Sequence, residues 1–109
     1  MSGHDYPIEH FQLMLDVSRV LKDFNAQLLE HEYHYHAFGS WWFVIESSGK
    51  KCRLLFDGRD FRLVLERDIS NGIGWPDWKE HAAEEMQHNS KPTISEIIAF
   101  LRANLFMAQ

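Results

Sequence analysis

The chain has 109 residues, a length typical of one folded domain, so residues 1–109 are expected to form a single unit. Apolar residues make up 45% of it and charged residues 25%, which excludes a disordered chain and provides for a core. The formal net charge of −5 disfavours non-specific nucleic-acid binding, because such binding requires cationic side chains against phosphates.

Sequence features of secreted or membrane proteins are missing. Met1–His10 contains neither a basic segment nor an apolar run, so no signal peptide is predicted. Even the five-residue apolar run 41–45, which no other run exceeds, is far shorter than the roughly 20 residues that span a bilayer. Cys52 is the only cysteine, which excludes an internal disulfide and fits a reducing compartment. We therefore expect a cytoplasmic protein without membrane contacts.

Apolar residues at helical spacing predict an N-terminal helix over residues 8–29. They recur three and four residues apart, as on one face of a helix. The predicted face consists of Met14, Val17, Leu21, Phe24 and Leu28, widened by Phe11 and Val20.

Between residues 41 and 67 the apolar period changes to two, which predicts antiparallel strands joined by turns at Ser48-Gly49 and Gly58-Arg59. Both turns place the large apolar side chains on one face, which is therefore predicted to be the core face. The predicted pairs on this face are Ile45–Cys52, Phe43–Leu54, Trp41–Phe56, Phe56–Phe61, Leu54–Leu63 and Cys52–Leu65.

An earlier strand, 31–36, is predicted to join this meander through a three-residue loop, 37–39, with Gly39 in the left-handed conformation. That register puts Tyr33 and Tyr35 on the core face and His34 and His36 on the outer face. A two-residue loop would bury both histidines instead, which is the less favourable alternative because buried imidazoles need partners.

Two helices are predicted after the sheet. Pro76 starts the first, which runs to about Gln87. Thr93 and Glu96 form the capping-box pattern at the start of the second. The expected fold class is α+β: an N-terminal helix, an antiparallel β-meander of three or four strands, and two C-terminal helices packed on the sheet. The apolar stripe of the last helix is Ile94, Ile97, Ile98, Leu101 and Leu105.

Histidines suggest a metal site in two places. His34 and His36 would point the same way from a strand and could share a metal, although no third ligand is indicated. In the helix predicted from Pro76, Asp77, His81, Glu84 and His88 would lie on one face. In both places an ordinary solvated surface explains the pattern better, so no metal or other cofactor is predicted.

The outer face of the predicted sheet combines an apolar strip with arginines. A wholly solvated face would carry polar residues only. Tryptophan and arginine are common anchors of protein interfaces, so the strip is a candidate binding surface. The alternative is that the helix after Pro76 covers it as a second layer. The residues of this face are Trp42, Val44, Leu55 and Val64, with Arg53, Arg62, His34 and His36.

A second candidate surface follows Gly74, where two tryptophans, Trp75 and Trp78, precede a run of acidic residues. Tryptophan anchors within a negative patch would suit a basic protein partner. The alternative is that both tryptophans pack inward and the acids only solvate a helix. The acidic residues are Asp77, Glu80, Glu84 and Glu85.

Catalytic motifs are missing: the sequence contains no phosphate-binding loop and no G-x-S-x-G elbow. Cys52 is predicted to be an inert core thiol. In size, charge and architecture the chain resembles small immunity and inhibitor proteins, although no residue motif carries this resemblance. It implies a non-enzymatic module that neutralises a basic partner, such as a toxin, by occlusion. The alternatives are a metal- or small-ligand-binding domain using His34 and His36, and a homodimeric structural domain.

Overall fold

The computed structural model describes residues 8–34, 36–70 and 72–106, without the side chains of His88 and Phe106. An N-terminal helix is followed by five strands that lie side by side in chain order, all pairs being antiparallel, and then by a second helix. The α+β class is confirmed, but the predicted element counts are wrong: the sheet has five strands rather than three or four, and one α-helix rather than two follows it within the described residues. The elements are α1 (Ile8–Asp23), β1 (Ala26–His34), β2 (Ser40–Ser47), β3 (Lys50–Asp57), β4 (Arg62–Asp68), β5 (Trp78–Glu85), a 3-10 turn (Gln87–Asn89), α2 (Ile94–Leu101) and a π-helical turn (Arg102–Phe106).

Helix α1 ends at Asp23, six residues before the predicted end at residue 29. Asn25 takes a left-handed conformation with φ 57°, which asparagine tolerates better than most residues, and β1 begins directly after it. Leu28 lies opposite Ile45 on the core side of the sheet. Because the inward position of Leu28 fits the period of a helix as well as that of a strand, the predicted helix was extended to include it.

The β2–β3 hairpin confirms the predicted register. Ser48 and Gly49, with φ 54° and 77°, form a two-residue turn with both residues left-handed, the geometry that suits the twist of a hairpin. Ile45 pairs with Cys52, and Trp41 pairs with Phe56.

The β3–β4 connection is longer than predicted. The Asp57 carboxylate accepts hydrogen bonds from the backbone N–H groups of Arg59 (3.0 Å) and Asp60 (3.3 Å), and Phe61 has φ 52°. As a result Phe56 pairs with Leu63 and Cys52 pairs with Arg67, a shift of two residues from the predicted pairs. Because side chains alternate along a strand, a shift of two leaves Leu63 and Leu65 on the core face, while Phe61 lies in the turn and packs against the core.

The β1–β2 loop also shifts by two residues, with His34 rather than His36 paired with Ser40. The predicted three-residue loop is therefore wrong, although Gly39 is left-handed as predicted, with φ 74°. Tyr33 lies on the core face and His34 on the outer face, as predicted. His36 lies in the loop and not on the sheet, while Tyr35 lies outside the described residues.

The predicted helix after Pro76 is wrong, because Trp78–Glu85 is strand β5. Its residues have good helix propensity, but pairing with β4 satisfies the backbone groups of an otherwise open strand. A bulge between Leu65 and Glu66 in the register brings Glu80 opposite Glu66.

The helices pack on one face of the sheet, where the core forms. Thr93 and Glu96 form the predicted capping box, so the start of α2 is confirmed. No helix among the described residues is long and apolar enough to cross a membrane. The fully buried side chains of the core are Val17, Leu21, Phe43, Ile45, Leu54, Phe56, Leu63, Leu65, Ile97, Leu101 and Leu105.

Candidate protein-binding face

The outer face of the sheet carries an apolar row that crosses four strands. Trp42 lies opposite Leu55, Leu55 opposite Val64, and Val64 opposite Ala83. The helix that was expected to cover this row is instead β5, which widens the face by one strand. The described residues therefore leave the row without a helical cover. We call it the outer apolar row.

Arg53 joins this row to β5. Its guanidinium carbon lies 5.5 Å from the ring centroid of Trp42 and 5.0 Å from that of Trp78. Both distances fit cation–π contacts, which are favourable over tryptophan. Arg53 Nε also donates to Glu66 Oε1 at 2.7 Å. Side chains from β2, β4 and β5 thus hold Arg53 of β3 between two indole rings.

These side chains cover the floor of the outer face. Val44 and Val64 are only 6% and 7% exposed, although they point away from the helices. Trp42, Leu55 and Trp78 are half-buried, so part of each remains open to solvent. The face is thus a packed apolar platform with accessible aromatic surface, rather than a fully solvated sheet.

Acidic side chains surround the platform. Their charge is only partly balanced, because two of the three cations on this face are held by its own carboxylates: Arg53 by Glu66, and Arg62 by Glu80 at 3.3 Å. By strand register the acidic residues of the face are Glu30, Glu32, Glu46, Asp57, Glu66, Asp68, Glu80 and Glu85, against Lys51, Arg53 and Arg62.

The structure brings together most of the binding residues predicted from sequence. Trp42, Arg53, Arg62, Trp78, Glu80 and Glu85 share the outer face. Glu84 does not, because it lies opposite Leu63 on the other side of β5. Asp77 lies at the base of the β4–β5 loop, and Trp75 lies within that loop with 90% of its surface exposed. The alternative in which Trp75 packs inward is therefore wrong.

The histidine pairs do not form a metal site in the described part of the chain. His34 lies against Trp42, with 4.6 Å between ring centroids, and His36 has left the sheet. The face of Asp77, His81, Glu84 and His88 requires a helix that does not form there. Among the described residues, no three histidine, cysteine, aspartate or glutamate side chains are grouped to hold a metal ion.

His10 is a buried residue that the sequence analysis missed. Its side chain is 3% exposed, and its ring centroid lies 5.0 Å from that of Tyr33 and 5.7 Å from that of Phe43. Burial, followed by the nearby His31, lowers the pKa of His10 to about 4. The sequence did carry a signal for this burial, because His10 lies four residues before Met14 and seven before Val17, on the same face of α1.

Two further groups have structural roles. Asp68 closes the β4–β5 loop, because its carboxylate accepts from the backbone N–H groups of Ser70 (2.9 Å) and Asp77 (3.0 Å). A hydrogen bond from the Ser70 side chain, followed by these two backbone bonds, lowers the pKa of Asp68. Cys52 is buried in the core as predicted, and this burial raises the pKa of its thiol, which favours the protonated form.

Comparison of the chain with protein families, curated proteins and solved structures finds no match in any of the three.

Proposed function

We propose that this protein is a non-enzymatic binding module of the immunity or inhibitor type, whose outer sheet face docks onto a basic protein partner. The observation that carries the proposal is the Trp42–Arg53–Trp78 arrangement on an uncovered face. Tryptophan and arginine are the side chains most often found at the energetic centres of protein interfaces.

The platform favours a protein partner over a small molecule. It is a broad sheet surface that crosses β2 to β5. Arg53 is already held by Glu66 and two rings, so binding would immobilise little additional side-chain freedom. A preformed anchor of this kind lowers the entropic cost of association.

The acidic rim favours a basic partner. Glu30, Glu32 and Glu85 are exposed around the apolar row, and the cations Arg53 and Arg62 are engaged by Glu66 and Glu80. A partner with lysine or arginine around an apolar centre would match this pattern in both charge and hydrophobicity. Neutralisation would then require only that the module cover the functional surface of the partner.

Adjacent glutamates on β5 provide a matched test. Glu85 lies on the outer face and Glu84 on the opposite face, so Glu85→Lys and Glu84→Lys change the charge equally. In affinity capture from the source cells, we expect the wild type and Glu84→Lys to retain the same basic protein and Glu85→Lys to lose most of it. High salt should weaken capture by all three forms.

Trp42→Ala tests the apolar part, with Ile8→Ala as control because Ile8 is 84% exposed on α1, in the other layer. The partner identified by capture should bind Trp42→Ala at least tenfold more weakly and Ile8→Ala unchanged. Equal binding by Trp42→Ala, or equal loss in both lysine variants, would contradict the proposal.

A homodimer through the outer face is the second candidate. It would bury the outer apolar row, but it would also bring two acidic rims together, which costs free energy unless the rims are offset. Sedimentation across a range of concentrations separates the candidates: a monomer at all concentrations removes the homodimer.

A further inference from the structure

At one end of the sheet, the face that carries the core changes from apolar to cationic. Cys52 pairs with Arg67, Arg67 pairs with Lys79, and Ser47 pairs with Lys50. Strand alternation puts these side chains on the same side as the core. The two-residue shift of the β3–β4 register brings Arg67 opposite Cys52, where the predicted register had Leu65.

A cleft of about 820 Å³ lies at this end of the core. Lys50, Lys51 and Arg67 contribute cationic groups to its lining, and Cys52, Ile69 and Leu105 contribute apolar surface. Its volume is within the range of small-molecule sites. The turn at Ser48-Gly49 and the loop residues Gly72 and Gly74 complete the wall, and Gly49, Gly72 and Gly74 have φ between 74° and 78°.

Lys50 and Arg67 form no ion pair among the described residues, whereas Lys51 lies near Asp68 and contributes to the lowered pKa of that carboxyl. The cations of the ion pairs within the described residues are Arg19, Arg53 and Arg62, and none of these three lines the cleft. Asp68 lines the cleft, but its Oδ1 already accepts two backbone N–H groups that close the β4–β5 loop.

Arg67 shows most directly that the cleft lacks hydrogen-bond acceptors for its cations among the described residues. Its Nε is buried, and no acceptor lies within hydrogen-bonding distance among the described residues. Its Nη2 lies 3.3 Å from His81 Nε2. Because a guanidinium can only donate, this contact uses His81 as a neutral acceptor and brings no negative charge. A buried donor without an acceptor is costly, and an anionic ligand would supply the acceptor.

We propose that this cleft binds a small organic phosphate monoester. A phosphate dianion suits a site with several cationic side chains better than a singly charged carboxylate does, and its oxygens accept from both arginine and lysine. The apolar wall of Cys52, Ile69 and Leu105 would contact the organic part. Nucleic acid is a poor candidate, because the outer face beside the cleft is acidic and would repel an extended phosphate backbone.

The site is separate from the outer apolar row, because Lys50 and Arg67 lie on the core side of the sheet and Lys51, although on the outer face, lies outside that row. The two proposals can therefore fail independently. Trp42→Ala should bind phosphate monoesters as the wild type does, whether or not it loses the protein partner.

Phenyl phosphate, inorganic phosphate and benzoate are suitable probes, titrated into the full chain by calorimetry and amide NMR. We expect phenyl phosphate to bind at least tenfold tighter than either other probe and to shift the amides of Gly49, Gly72 and Gly74. Benzoate as tight as phenyl phosphate would overturn the phosphate assignment. Inorganic phosphate as tight as phenyl phosphate would overturn the apolar contact, and no binding by any probe would overturn the site.

Arg67→Met and Lys50→Met should each weaken phenyl phosphate binding at least fivefold. Lys50 is exposed, so its replacement keeps the test valid if Arg67→Met fails to fold. Arg59→Met is the matched control, because Arg59 is exposed in the β3–β4 turn at the opposite end of these strands. If all three variants bind equally, the proposal is wrong.

Discussion

Arg53 Nε donates to Glu66 Oε1 at 2.7 Å across the β3–β4 pair, and both side chains are largely shielded from solvent. The two residues face each other directly in the register. A short charge-assisted bond between shielded partners is stronger than an exposed ion pair. This bond fixes the guanidinium between the rings of Trp42 and Trp78, and it links the stability of the sheet to the shape of the candidate binding face.

Arg53→Met should lower the free energy of unfolding by roughly 1–2 kcal/mol, because it removes the bond to Glu66 and two cation–π contacts. Arg59→Met should change it by less than about 0.5 kcal/mol, since Arg59 is exposed in a turn. Urea denaturation measures both. In a double-mutant cycle, Arg53→Met and Glu66→Gln should show a coupling free energy of about 1 kcal/mol; additive effects would rule out the pair as a stabilising contact.

Stability should fall as the pH drops from about 6.5 towards about 4, because His10 has an ordinary pKa of 6.5 and a folded-state pKa of about 4. Since folding depresses this pKa, the unfolded chain binds the proton more tightly. The contribution is complete above pH 6.5 and is lost on acidification, up to roughly 3 kcal/mol for the full shift.

His10→Phe keeps an aromatic ring beside Tyr33 and Phe43 and should flatten the pH dependence in this window. His36→Gln is the control, because His36 is exposed. Urea denaturation at several pH values tests both variants, and NMR titration gives the pKa of His10 directly. A variant that retains the full acid sensitivity of the wild type would show that His10 is not its source.

The capping box of α2 should contribute measurably to stability. Glu96 N–H donates to Thr93 Oγ1 at 3.1 Å, and Thr93 N–H donates to Glu96 Oε1 at 2.9 Å. Thr93→Ala should therefore cost about 1 kcal/mol. Ser95→Ala, at an exposed position in the same turn, should have no such cost. Equal effects in the two variants, measured by thermal unfolding, would mean that the cap is not stabilising.

Local patterns predicted those parts of the fold that depend on neighbouring residues. The Ser48-Gly49 turn and the Thr93 cap involve contacts within a few residues, and both were predicted correctly. The faces of β1 to β4 also followed from alternation, even where the registers were shifted by two, because such a shift preserves the side on which a residue lies. For the same reason Trp42 and Arg53 were assigned to a common face.

The remaining features depend on pairing across the sheet, which local patterns do not specify. The β3–β4 loop is longer than predicted because the Asp57 side chain closes it, and the error in its length concealed the pairing of Cys52 with Arg67. Strand β5 was missed because helix-forming residues and an apparent proline start favoured a helix. Only the unpaired edge of β4 makes a strand the better conformation there. The position of Trp78 on the outer face therefore depends on the pairing of β5 with β4, which its local sequence did not indicate.

Replacing Ala83 with valine tests the strand assignment, because the two conformations predict opposite signs. In β5, Ala83 faces Val64 on the outer face, where a β-branched side chain adds cross-strand contact and should stabilise the protein by about 0.5 kcal/mol. In a helix the same replacement would cost roughly 0.5 kcal/mol through lost side-chain freedom. Ala99→Val, at an exposed position in α2, is the matched control and should be destabilising. If urea denaturation shows that both valine variants are destabilised alike, then residues 78–85 do not form the edge strand on which Trp78 and Glu80 are displayed.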